Sequence, residues 1–238
     1  MLELELPAAK TNSNKGAKNP EPVRDFPVTL IQGNCMANLW QQYVKFVFEG
    51  IPGIDDDLEI RECFLVTLYF EKGSDFEQVH PAMDLTKQQL YVEKLLSSEV
   101  HTVLGDSYGY RLRYSYGLDQ VEAMVNRLVT KPESKAVCAN LLHPIQSLIE
   151  QSVSMQRVAC MTNMQVLWRE NALNLIAHFR SQNAWNSHGN FKALHIWHKN
   201  FLNQLHKSGV EAELGSIAVV INAAHIYKCD FEKAASLI

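Results

Sequence analysis

The apolar positions of this chain change period along its length, and the changes mark its elements. In DQVEAMVNRLVTKPES, Val121, Met124, Val125 and Leu128 recur at helical spacing, and the helix is predicted to end before Pro132. FKALHIWHKNFLNQLHKSG repeats the pattern with Phe191, Leu194, Trp197, Phe201 and Leu205, and Gly209 closes it. From Asn38, NLWQQYVKFVFEG puts Leu39, Tyr43, Phe46 and Val47 on one helical face, with Gly50 as the stop. Residues 85–99 read as a further helix, with Leu90, Leu95 and Leu96 apolar. Between the helices, β-branched and aromatic residues crowd into EIRECFLVTLYF, residues 59–70, a predicted strand. FPVTLIQG predicts a short first strand, AVCANLL a short buried one, and LGSIAVVINAAHIY a last strand running into His225 and Tyr227. NMQVLWRENALNLIAHFR reads as two apolar strands around RENA, a hairpin. Helices alternating with strands and a hairpin predict an α/β (α+β) fold with a mixed sheet. No internal repeat is visible.

Residues 9–26 break every pattern. They are polar and rich in Asn, Lys and Pro, so residues 1–26 are expected to form a flexible leader before a domain over 27–238. The chain has 238 residues and 47% hydrophobic content, enough for a sizeable core. A formal net charge of -4 leaves no cationic excess to displace counterions, so no nucleic-acid partner is expected. No apolar run approaches the ~18–20 residues that span a bilayer, and no basic region followed by an apolar stretch opens the chain. Neither a membrane partner nor a secretory signal is therefore expected. Cys35, Cys63, Cys138, Cys160 and Cys229 are odd in number and scattered. That pattern argues against a disulfide framework and against a metal cluster; it predicts free thiols in a cytoplasmic setting, most of them in the core.

One stretch concentrates candidate chemistry. HFRSQNAWNSHGN reads as a strand ending on Arg180, followed by Ser181, Gln182, Asn183, Asn186 and Asn190. Those groups donate and accept without charge beside one cation, which suits a neutral planar ring carrying an anion. Across the predicted hairpin, the start of the first strand lies opposite the end of the second, so Cys160 and Arg180 are expected to be neighbours. A buried cysteine is more often core than nucleophile. A guanidinium beside a thiol favours the thiolate, and the same guanidinium can hold a phosphate.

The second half resembles the thymidylate synthase / pyrimidine nucleotide hydroxymethylase family, in its compact archaeal- or phage-like form. DSYGYRLR resembles the family's Tyr-Gly-x-x-x-Arg segment, and DQVEAMVNRLVTKPESKAV its Asp-Gln helix and Pro-x-Ser-Arg-Arg turn. VACMTNMQVLW resembles the strand of the nucleophilic cysteine, FRSQNAWNSHGN the Arg-Ser-x-Asp segment with its downstream asparagine, and AAHIY the His-x-Tyr close. The resemblance implies a mixed sheet flanked by helices, a homodimer joined through the sheet, and 5,10-methylenetetrahydrofolate as cofactor. It implies one-carbon transfer to C5 of a pyrimidine nucleoside 5′-monophosphate through a cysteine–C6 adduct. By the same resemblance Cys160 is the nucleophile, Arg180 and Ser181 hold the phosphate, and Asn190 reads O4 and N3 of the base. His225 and Tyr227 hold the sugar, Tyr108 serves the proton network at C5, and Glu62 is the general acid/base, against the plainer reading of an exposed strand-edge carboxylate.

The chain departs from the family's pattern in places that bear on chemistry. The paired arginines that reach a partner's phosphate appear as Lys135 and Ala136, and lysine lacks the bidentate fork. Asn183 stands where the family has an aspartate that helps hold folate. Ala159 and Met161 flank the cysteine where proline and histidine are usual, and the segment from Asn183 to Asn190 is one residue short, which leaves Asn186 as a rival base reader. Methylation of dUMP is the first expectation. Hydroxymethylation of dUMP, dCMP or CMP and a weakened nucleotide-binding homologue are the alternatives.

Overall fold

The structure is a computed structural model and describes residues 27–115, 117–142 and 158–238. The expected leader, residues 1–26, and the polar SMQR before Cys160 lie outside the described residues. A seven-stranded mixed sheet forms the centre. Its strands are β1 (Thr29–Cys35), β2 (Ile51–Asp55), β3 (Leu58–Asp75), β6 (Cys138–Asn140), β7 (Met161–Arg169), β8 (Ala172–Asn183) and β9 (Glu213–Tyr227). They run in the order β1-β3-β9-β8-β7-β6, with β2 paired to β3. β1 lies parallel to β3 and β8 parallel to β9, and the other pairs are antiparallel. The two-residue strands β4 (His101–Thr102) and β5 (Gly105–Asp106) form a separate ribbon.

The helices are α1 (Met36–Phe48), α2 (Leu85–Leu96), α3 (Tyr108–Arg113), α4 (Gln120–Thr130), α5 (Ser187–Lys207) and α6 (Phe231–Ala235). Three start on a side-chain cap: Asp84 accepts from Lys87 N, Ser107 from Tyr110 N and Asp119 from Glu122 N. The stripes read from sequence are the buried faces: Leu39, Tyr43 and Val47 on α1, Val121, Met124, Val125 and Leu128 on α4, and Phe191, Leu194, Trp197, Phe201 and Leu205 on α5. They share one core with alternate strand residues such as Leu68, Phe70, Leu175, Ala177, Val219 and Ile221. The residues between these, among them Thr67, Tyr69, Ile176, His178, Ala218 and Val220, stay partly exposed.

The structure differs from the sequence reading in several places, among them the short strand expected to be buried, β6, whose Cys138 and Asn140 are exposed. β2 was not read from the sequence, since Pro52 and Gly53 argue against a strand; a Cβ at Gly53 would first meet the movable tip of Glu62, at 2.7 Å. β8 does not end at Arg180: Ser181, Gln182 and Asn183 continue it by pairing with Ala223, Ala224 and His225 of β9. α5 begins at Ser187, four residues ahead of the apolar stripe read from Phe191. The cysteines are less buried than expected, with only Cys35 fully in the core and both Cys138 and Cys229 exposed. Among the described residues no helix is long and apolar enough to cross a membrane, and no group of three metal-ligating side chains occurs.

Candidate active site

The β7–β8 hairpin sets the first relationship. Its turn is Glu170–Asn171, both at positive φ (49° and 61°), the two-residue geometry whose twist matches antiparallel strands. From that turn the ladder pairs Arg169 with Ala172 and Asn163 with His178, and an uninterrupted ladder would set Cys160 opposite Ser181. A bulge between Met161 and Asn163 shifts the register, so Met161 faces Phe179. Cys160 thereby lands opposite Arg180, whose N–H donates to its carbonyl at 2.9 Å.

The side chains converge on the same point. Arg180 Nη2 lies 4.0 Å from Cys160 Sγ, and Ser181 Oγ lies 3.7 Å from it. Arg180 also grips the chain entering the cysteine, donating from Nε to Ala159 O at 3.1 Å and from Nη2 to Val158 O at 2.7 Å. Tyr108, the first residue of α3, accepts on its hydroxyl oxygen from Cys160 N (3.3 Å) and Met161 N (3.5 Å). Burial, and then the neighbouring Cys160, push the Tyr108 phenol well above its ordinary range. Gly109 lets α3 sit this close to α2, because a Cβ there would strike Ser97 O. The half-buried thiol of Cys160 is thus held by its backbone on one side and flanked by a cation and a hydroxyl on the other.

A second group of residues gathers on β9 and the β2–β3 hairpin. His225 is buried, and burial pushes its imidazole below the ordinary range while Asp55 opposes the shift. Tyr227 packs edge-on against His225 at 4.8 Å and donates its hydroxyl to Asp55 Oδ2 at 2.7 Å. Glu62 lies on β3 between Ile51 of β2 and His225 of β9. It is therefore not the exposed strand-edge carboxylate of the plainer reading. Burial, and then Asp55, raise its carboxyl above the usual carboxylate range.

The amide run divides its labour. Asn183 Oδ1 accepts from Asn186 N at 3.4 Å and so shapes the turn into α5, and Asn186 Oδ1 accepts from Lys87 Nζ at 2.9 Å. Asn190 lines a cavity of about 10 Å³ with Tyr91, Tyr108, Met161 and Phe179. Gln182, 3% exposed, donates from Nε2 to Asn190 Oδ1 at 3.3 Å. Lys135 stands apart: its carbonyl accepts from Gln165 Nε2 at 2.8 Å, five residues along β7 from the cysteine. A larger cavity of about 330 Å³ lies between α2, α3 and α5 and is lined by none of the candidate site residues.

Sequence reasoning missed Asp55 and undervalued Gln182. Asp55 opens the run Asp55, Asp56 and Asp57, and it was hidden because Pro52 and Gly53 just before it argue against a strand. Gln182 was read only as one of the amides behind Arg180, because a polar residue after an arginine reads as loop.

Fold and geometry together define an α/β protein with a cysteine set between an arginine and a serine where two strands of a mixed sheet meet. The family model described as thymidylate synthase matches residues 36–238, and the chain belongs to that family. It is also 29% identical over 161 residues to a protein of Methanothermobacter marburgensis described as "Putative thymidylate synthase". That match covers 64% of this chain and 64% of the relative's length.

Proposed function

We propose that the chain catalyses folate-dependent one-carbon transfer to C5 of a pyrimidine nucleoside 5′-monophosphate, with methylation of dUMP as the first reading. The observation that carries this is Cys160 Sγ lying 4.0 Å from the Arg180 guanidinium and 3.7 Å from the Ser181 hydroxyl. C5 of a pyrimidine is a poor nucleophile. Addition of the Cys160 thiolate at C6 turns C5 into an enolate-like carbon that attacks an electrophilic one-carbon unit. Loss of the C5 proton and expulsion of the thiolate then restore the ring. Arg180 and Ser181 receive the phosphate, His225 and Tyr227 the sugar, and Asn190 the base edge. Asn190 suits the base better than Asn186 because it lines the cavity shared with Tyr108 and Met161, where Asn186 does not. Glu62, with its raised carboxyl, is the proton carrier on the base. Tyr108 keeps its hydroxyl hydrogen after accepting two N–H groups and serves the C5 proton.

The residues present fit a folate. Asn183 retains amide N–H groups for a pterin, and the Lys87 ammonium beside Asn186 suits an anionic tail. When bound, 5,10-methylenetetrahydrofolate would supply the one-carbon unit and, for a methyl product, the hydride that reduces it, leaving as dihydrofolate. Whether the product is methyl or hydroxymethyl turns on water reaching the exocyclic carbon, and hydroxymethylation of dUMP, dCMP or CMP is the alternative outcome. The partly exposed sheet face carrying Ile176, His178, Ala218 and Val220 is proposed to join two copies, with Lys135 serving the second copy's phosphate.

The test is tritium release from C5-tritiated dUMP, dCMP and CMP with methylenetetrahydrofolate. Release that disappears in Cys160→Ala supports the reaction. Nucleotide binding without release from any of the three supports a homologue that binds but no longer reacts, a reading favoured by Asn183 being a neutral amide already committed to its turn.

A further inference from the structure

Gln182 belongs to no part of the reaction just described, yet its placement is unusual. Its residue is 3% exposed, its Nε2 donates to Asn190 Oδ1 at 3.3 Å, and its Oε1 is buried without a hydrogen-bond partner among the described residues. A buried carboxamide satisfied at one end only is costly and uncommon. Asn190 in turn lines the cavity beside Tyr108 and Met161. Two amides thus stand in series, one facing the cavity and one behind it.

The chemistry of that series follows from what each amide end does. With Gln182 Nε2 on Asn190 Oδ1, one lone pair of that oxygen is committed toward Gln182, and Nδ2 is the donor Asn190 keeps for a ligand. A donor matches the C4 carbonyl of uracil. Cytosine carries an amine at C4 and needs Asn190 turned so that Oδ1 faces it. Nδ2 then points back at Gln182, and Gln182 must turn as well, offering Oε1. In the first arrangement Oε1 is the unpaired end of Gln182; in the second it is Nε2. Each arrangement leaves one end of the same buried amide unsatisfied, so no strong internal preference separates them. A carboxamide turn exchanges two nearly isosteric groups and displaces no neighbour.

We propose that Gln182 is the positioning residue of the base reader, an amide that turns together with Asn190 so that the site accepts both uracil and cytosine nucleotides. The inference rests on the proposed function, in which Asn190 faces the pyrimidine. It makes Gln182, rather than Asn190 alone, the determinant of base choice.

Binding of dUMP and dCMP, measured by calorimetry at pH 8 without folate, tests this apart from catalysis. The wild-type chain is expected to bind the two with affinities within about tenfold of each other, because neither leaves Asn190 donor facing donor. Gln182→Glu offers acceptors only and fixes Asn190 with Nδ2 turned back, so the ratio is expected to move at least about tenfold toward dCMP. Gln182→Met keeps the side-chain length and removes both hydrogen-bonding groups; it is expected to weaken both nucleotides alike. A wild-type preference above tenfold, a ratio unmoved in Gln182→Glu, or a Gln182→Met variant weakened for one base alone would overturn the proposal. Failure to bind either nucleotide would instead sink the proposed function.

Discussion

Tyr227 donates its hydroxyl hydrogen to Asp55 Oδ2 across 2.7 Å, which ties the end of β9 to the β2–β3 hairpin. The bond fixes what Tyr227 has left for a ligand. Its hydrogen is committed, so the phenolic oxygen can only accept, and a sugar hydroxyl meeting it must donate.

Asp55→Ala is therefore expected to act on both stability and binding. Asp55 is half-buried, so loss of this charge-assisted bond is worth about 1 kcal/mol after allowance for solvent screening, read as a shift in urea midpoint. Nucleotide affinity is expected to fall several-fold as Tyr227 loses its fixed orientation. Unchanged affinity together with unchanged stability would show that the bond does neither job.

Tyr108→Phe separates structure from chemistry at the cysteine. The hydroxyl removed accepts from Cys160 N and Met161 N in a buried setting. Stability is expected to drop by about 1–2 kcal/mol, the cost of weakening two buried N–H contacts. If the hydroxyl also serves the C5 proton, release of C5 tritium falls far more than nucleotide affinity does. Equal losses in the two would confine Tyr108 to holding the backbone.

Much of this arrangement was legible before any coordinates. The stripes Val121–Leu128 and Phe191–Leu205 name the faces that pack, since helical period alone decides which side chains share a side. The neighbourhood of Cys160 and Arg180 was legible because a hairpin fixes who faces whom. Sequence could not place the bulge that makes the pairing Cys160–Arg180 rather than Cys160–Ser181, since that rests on one unpaired residue. The extension of β8 through Ser181, Gln182 and Asn183 was hidden for another reason. Those residues look like loop, and only the parallel partner β9 makes them strand. Asp55 was hidden with β2, whose Pro52 and Gly53 argue against a strand until the carboxylate of Glu62 is seen filling the space beside Gly53.

The long helix α5 carries a pH dependence of folding. Burial holds His188 and His198 at about 4 in the folded chain, against an ordinary value of 6.5. His188 Nδ1 and His198 Nε2 are buried without a partner among the described residues, so an added proton gains no bond. The unfolded chain binds protons near 6.5 and the folded chain does not, so stability is full above about pH 6.5 and declines as pH falls toward 4. Each histidine contributes at most about 3 kcal/mol to that decline. A melting temperature lower at pH 4.5 than at pH 7, with the difference reduced in His198→Phe, is the expected result. A flat profile over that range would mean that both imidazoles find acceptors.

At Gly189 one missing methyl group sets how closely α5, with the proposed base reader Asn190, packs on α2. It lies one residue before Asn190 in the first turn of α5, and a Cβ built there would run into the ring of Tyr91 on α2. Alanine at a helix position ordinarily gains up to about 1 kcal/mol over glycine. Here the collision is with ring carbons close to the Tyr91 backbone rather than with a swinging tip, so the neighbour cannot simply rotate away. Overpacking of this kind costs about 1–3 kcal/mol, which exceeds the gain in helix propensity, and the net sign is destabilising. Gly189→Ala is expected to lower the denaturant midpoint and to weaken nucleotide binding, because α5 must retreat from α2 and carry Asn190 with it. Tyr91→Leu removes the ring, so the double variant is expected to recover much of the stability lost by Gly189→Ala alone. Additive losses in the pair would show that α2 and α5 give way independently and that the spacing of Asn190 is set elsewhere.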